Sequence, residues 1–224
     1  MLSDIIIVIL VVMLIYCILK DPVYDYFTMT NIKSDIDGIT YPVVSKYEDK
    51  QKASDLMAGI NVFTRDMIQK LKATYIDKDL DPKFIETPKE VEYRKGKEVT
   101  LILLKRYNSS SLKENEPETP DKTAYTINKG DTIALCLREK VSGKNEFHDL
   151  EILKFVMLHE LAHIITKELD HTQVFWTNFR FLLEFCEKNG IYTSANYFSK
   201  NSNYCGLPIT YTPVLDKNLM SYFK

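Results

Sequence analysis

The apolar and polar positions divide the chain into stretches of different period. Ile5 to Leu19 is an unbroken apolar run, about 22 Å long as a helix against a hydrocarbon core of about 30 Å. Asp4 precedes it and Lys20-Asp21-Pro22 follows, so the basic n-region and small-residue cleavage site of a secretory signal peptide are missing. The expectation is a retained membrane anchor over residues 1–20, with Tyr16, Tyr24, Tyr26 and Phe27 suited to the interface. Residues 21–48 carry Pro22, Pro42 and Asp37-Gly38 without a sustained period, which reads as a linker or wrapping segment. From Asp49 to Ile76, Leu56, Ile60, Phe63, Met67 and Leu71 recur at steps of three and four, the mark of a helix with one buried stripe.

The period changes after Phe84. Val99-Thr100-Leu101-Ile102-Leu103-Leu104 is rich in strand formers and Lys95-Gly96-Lys97 has the composition of a turn, predicting strands. Asn108 to Asp121 is polar with Pro117 and Pro120, an exposed loop. Tyr125-Thr126-Ile127 and Ile133 to Arg138 flank Asn128-Lys129-Gly130-Asp131, a hairpin signal. A helix is expected from Leu150 to about Thr166, with Asp149 as its N-cap. A second, aromatic-rich helix is expected from Thr172 to about Lys188, packed on the first. The tail carries Tyr192, Tyr197, Tyr204, Tyr211 and Tyr222, with Asn203 to Ile209 as an irregular strand and turn.

The first of these two helices holds the candidate chemistry, in His159-Glu160-Leu161-Ala162-His163. Four residues apart on a helix, two imidazoles stack on one face and can share a metal ion. Such a motif holds Zn²⁺ through both histidines and uses the glutamate, here Glu160, to take a proton from water. A catalytic zinc usually has three protein ligands. His171 is the leading candidate for the third, while Glu184 and Glu187 also qualify by distance along the chain. His148 lies nearly three turns from His159, about 16 Å along a helix, and reads as a surface residue.

HELAH at 159–163 and HTQVFW at 171–176 resemble the signature of zinc metallopeptidases of the WLM and SprT groups. The resemblance implies a zincin-like metallopeptidase domain of α+β class, in which a small sheet packs on the HExxH helix and its neighbours. It also implies Zn²⁺ on His159, His163 and His171, Glu160 as catalytic base, and a protein or peptide substrate. In many zinc peptidases the strand just before the metal helix is the edge on which an extended substrate pairs, and here that would be Ile133 to Arg138. A tyrosine, Tyr204 or Tyr211, could stabilise an oxyanion, although packing is the commoner role. The block from Tyr125 to Tyr192, with Ile127-Asn128-Lys129-Gly130 and Leu135-Cys136-Leu137-Arg138, is similar to uncharacterised predicted peptidases of large DNA viruses, which implies a virion- or membrane-associated setting.

Composition adjusts this picture in three places. The net charge of −2 argues against broad binding to nucleic acid, and hence against a DNA-associated protease. Cys17, Cys136, Cys186 and Cys205 form no C-x-x-C. With Cys17 in the apolar run, three remain, which suits a reducing compartment and leaves a pair such as Cys136 with Cys205 open. Lys20 and Lys33 follow the anchor and by the positive-inside tendency point the main domain, residues 49–224, to the cytosolic face. The alternative to an enzyme is a binding or structural membrane protein that keeps the fold, but a structural zinc has no use for Glu160.

Overall fold

A computed structural model describes residues 5–16, 28–115, 123–139, 146–197 and 199–223. Residues 5–16 form helix α1, with every apolar side chain exposed. Residues 1–4 and 17–20 of the expected anchor, and residues 21–27 with Tyr24, Tyr26 and Phe27, lie outside the described residues. Among the described residues no helix is long and apolar enough to cross a membrane.

The stretch expected as a linker or wrapping segment contributes to the core. Strands β1 (Met29–Lys33) and β2 (Thr40–Val44) pair antiparallel, and Tyr41, Val43 and Val44 are buried. Gly38, at φ +71°, and Asp37, whose Oδ1 accepts from the Ile39 amide at 3.0 Å, make the tight return. Pattern reading failed here because β1 buries none of its residues fully and so shows no alternation, and Pro42 sits inside β2. Helix α2 (Lys50–Tyr75) follows and buries Ile60, Phe63, Met67 and Leu71, as the stripe predicts.

The expected strands near Val99 are instead the end of helix α3 (Pro88–Arg106). Glu92, Gly96, Val99, Thr100 and Leu103 are buried, which is helical spacing on one face. Gly96 marks a close approach between helices and no turn. A Cβ there would stand 2.5 Å from the Tyr75 ring, so only glycine lets α3 lie this close to α2. A short apolar run cannot be told from a buried helix by composition alone.

A three-stranded sheet follows, with β3 (Leu112–Glu114), β4 (Ala124–Ile127) and β5 (Thr132–Leu135). Its order is β3-β5-β4, with β3 parallel and β4 antiparallel to β5. The loop expected over 108–121 therefore contains a strand, although residues 116–122 lie outside the described residues. The hairpin is where the sequence predicts it. The expected edge strand β5 is instead the central one, paired on both sides, and β3 and β4 are the edges, with β4 packed on α4.

Helices α4 (Leu150–Ile165) and α5 (Gln173–Lys188) complete the body. Buried residues occur all round α4, as for a helix inside a core. It packs on α2, α3, α5, β4 and β5. Asp149 takes the N-cap position, but its side chain makes no capping bond; its main-chain carbonyl accepts from the Leu153 amide at 3.1 Å. A small hairpin, β6 (Asn203–Tyr204) and β7 (Leu207–Pro208), closes the C-terminal part through left-handed Cys205 and Gly206. Cys205 is disulfide-bonded to Cys136 at the end of β5, the pair that composition left open. Cys186 is buried as a free thiol.

Candidate metal centre

The i, i+4 spacing on α4 brings the His159 and His163 rings to 4.9 Å. The chain leaves α4, turns through left-handed Asp170 (φ 62°) and presents His171 immediately before α5. Thr172 caps α5, its hydroxyl accepting from the Phe175 amide at 3.3 Å. The His171 ring then lies 4.8 Å from that of His159 and 4.9 Å from that of His163. Phe175 lies against all three rings, at 4.9, 4.3 and 4.7 Å, and Trp176 stacks on His171. One ligand-capable nitrogen from each histidine falls within 4.8 Å of the others.

Burial sets the charge state of this cluster. It lowers His159 to about 3, assisted by His163 and His171, and lowers His163 to about 4, assisted by His171 and Lys129. His171 is also lowered by burial, with Asp170 opposing. All three imidazoles are therefore neutral near pH 7, the form that offers a lone pair to a metal. His159 Nε2 and His171 Nε2 are 3.0 Å apart; two nitrogens on a tetrahedral zinc, each at about 2.0–2.1 Å, would be separated by about 3.3 Å. The donor set thus fits Zn²⁺.

Glu160 is buried beside the cluster. Desolvation raises its carboxyl to about 7, against the opposing hydrogen bond from Thr126. Thr126, on edge strand β4, donates its hydroxyl to Glu160 Oε2 at 2.8 Å. These groups line a cleft of about 630 Å³, which also takes in Tyr125, Phe155, Phe179, Trp176, Tyr204 and Tyr211.

The competing ligands are engaged elsewhere. Glu184 accepts from Arg180 Nε at 2.7 Å and from Ser221 Oγ at 2.8 Å, and Glu187 accepts from the Ser194 amide at 3.0 Å. His148 departs from its expected surface position. It is buried, its ring packs 4.9 Å from Tyr204, and its Nε2 accepts from the Cys205 amide at 3.1 Å. That bond secures the β6–β7 turn, which is why the residue is inside. Tyr204 is buried with its hydroxyl accepting from the Cys136 amide at 2.9 Å, while the Tyr211 hydroxyl donates to Asp216 at 2.8 Å. Thr126 and Lys129 carried no signal in the sequence beyond their place in a hairpin.

The WLM domain family matches residues 89–207, from α3 through β7. The relatives are viral. An uncharacterized protein of Acanthamoeba polyphaga mimivirus is 31% identical over 189 residues, 84% of this chain and 83% of its own length. One from Invertebrate iridescent virus 6 is 31% identical over 177 residues, covering 78% and 96%. A third, from Invertebrate iridescent virus 3, is 36% identical over 104 residues, covering 46% and 62%. No solved structure matches the chain significantly. The chain belongs to the WLM domain family, a family of zincin-like peptidases.

Proposed function

We propose that this chain is a membrane-anchored zinc endopeptidase in which His159, His163 and His171 hold the metal and Glu160 is the general base. What carries the reading is the convergence of three neutral imidazoles beside a buried carboxylate in a cleft bordered by an edge strand. When bound, Zn²⁺ supplies a Lewis acid that polarises a peptide carbonyl and brings the pKa of water toward about 7. Glu160 takes the proton from the attacking water and passes it to the departing amine. Thr126 engages Oε2, leaving Oε1 for the transfer. Strand β4, paired on one side by β5, offers its other side to an extended peptide main chain.

The exposed apolar surface of α1 supports the anchor, taken with residues 17–19 of the same run. The Cys136–Cys205 cross-link supports an oxidising setting for the folded domain, against the cytosolic side that Lys20 and Lys33 suggest.

The test uses full-length protein in detergent micelles. It should bind about one zinc per chain and cleave members of a proteome-derived peptide library, with products that vanish on chelation and in Glu160→Gln. Zinc-loaded protein that releases no product would leave a non-catalytic binding or structural protein of the same fold. Resistance of the native chain to alkaline extraction from membranes checks the anchor; release into the soluble fraction would remove it.

A further inference from the structure

The hairpin turn between β4 and β5 reaches the C-terminal end of the metal helix. Asn128 and Lys129 are both left-handed (φ 49° and 58°), and Gly130 (φ 122°) lets the turn press against α3. A Cβ on Gly130 would stand 2.9 Å from the Arg106 carbonyl oxygen. This geometry carries the Lys129 side chain across the end of α4. Its Nζ donates to the carbonyl oxygens of His163 at 3.0 Å, Thr166 at 2.7 Å and Glu168 at 3.0 Å. An ammonium has three protons, so its donor capacity is used in full.

The identity of the acceptors matters. A helix C-terminus attracts cations, and Arg106 already answers that attraction at the Ile164 carbonyl, at 3.4 Å. Lys129 goes further. One of its acceptors belongs to His163, and the other two lie in the connection that takes the chain from His163 to His171, with Glu168 beyond the C-cap Thr166. The same connection is tied from α5, where Asn178 Nδ2 donates to Thr166 Oγ1 at 2.9 Å.

We propose that Lys129 is a positioning residue of the metal centre. By gripping three carbonyls, its ammonium fixes the path of residues 164–170 so that His171 meets His159 and His163. The proposal rests on the metal reading above. It also predicts a sign, since a lysine acting only as a nearby positive charge would repel a dication, and removing it would tighten binding. A lysine that positions the third ligand weakens binding when it is removed.

The experiment measures Zn²⁺ affinity of full-length protein in micelles by competition with a chromophoric chelator, with the visible spectrum of bound Co²⁺ as a second readout. Lys129→Met keeps the stem and loses the donors. Its dissociation constant should rise by about 10- to 100-fold, the range seen when groups supporting metal ligands are removed, and its Co²⁺ spectrum should move toward that of His171→Ala. In a His171→Ala background, Lys129→Met should change affinity no further, because its target is already gone. Unchanged or tighter binding by Lys129→Met would overturn the proposal, as would an equal loss in the His171→Ala background. Should Lys129→Met not fold, Lys129→Gln, with two donors left, carries the same comparison. Wild-type protein that binds neither metal defeats the metal reading itself, which is a separate failure.

Discussion

Glu114 and Glu160 are both buried, one in β3 and the other bonded to β4, so they flank the central strand of the same sheet. Burial raises the carboxyl pKa of each. Their surroundings then diverge. Glu114 Oε1 accepts from Arg138 Nε at 3.0 Å and Oε2 accepts from the Val44 amide at 2.8 Å, while the Arg138 guanidinium lies between the rings of Tyr47 and Phe147. Both oxygens are committed, and the residue ties β2, β3 and the segment after β5 together. Glu160 meets only the Thr126 hydroxyl in the hydrogen bonds described, and it borders the cleft. A raised carboxyl pKa alone therefore does not mark a base; Glu160, the proposed base, differs from the strut Glu114 in what holds its oxygens and in the cleft it borders.

The largest effect expected from this contrast is on turnover. Glu160→Gln keeps the size of the side chain and all three histidines, so zinc content should hold. Cleavage should fall about 10² to 10⁴-fold, roughly 3 to 5 kcal/mol of transition-state stabilisation. Measuring kcat on any library substrate decides it, and an unchanged rate would reduce Glu160 to a second strut. The matching change at the other glutamate should act on the fold. Glu114→Ala leaves Arg138 buried without its partner, which costs about 3 to 5 kcal/mol. Urea unfolding should report that loss, while zinc affinity of the folded fraction stays at the wild-type value.

A smaller effect concerns pH in the metal-free protein. Glu160 is raised from 4.5 to about 7, so its contribution to stability is full below about 4.5 and is lost as pH rises through 7. Glu160→Gln has no such loss, and its stability relative to wild type should grow between pH 5 and 8 by up to about 3 kcal/mol. His159 and His163 act in the opposite direction. Lowered to about 3 and about 4, they contribute stability above about 6.5 that is lost as pH falls toward those values. Denaturation at a series of pH values would separate the two; a gap that stays constant from pH 5 to 8 would mean that Glu160 is well hydrated. The smallest effect is at Thr126. Thr126→Val removes one hydrogen bond and should lower kcat by about fivefold, near 1 kcal/mol, with Thr126→Ser restoring it and KM unmoved.

The parts of the site legible in the sequence are those whose chemistry lies within a few residues. His159, Glu160 and His163 occupy a little over one turn of α4, and His171 follows across one short connection. Thr126 and Glu160 are 34 residues apart, and His148 and Cys205 are 57 apart, so nothing in a local pattern could pair them. The fold divides in the same way. The α2 stripe and the Asn128-Lys129-Gly130 turn are periodic or local signals, whereas α3 was hidden because Val99 to Leu104 suits either a strand or a buried helix. Only the contact of Gly96 with Tyr75, across two helices, explains the glycine that composition assigns to a turn. The order β3-β5-β4 likewise depends on a parallel partner supplied by a segment that looks like loop.

The Cys136–Cys205 bond spans 69 residues of chain and encloses α4, His171 and α5 in a covalent ring. A single cut anywhere within that ring, by a contaminating protease or by the protein acting on itself, would leave the two fragments joined. On a denaturing gel without reductant the nicked chain would migrate as one species near full mass, and it would separate into pieces only once reduced. An intact band under oxidising conditions is therefore no measure of chain integrity for this protein, and a search for self-processing has to compare reduced and unreduced lanes.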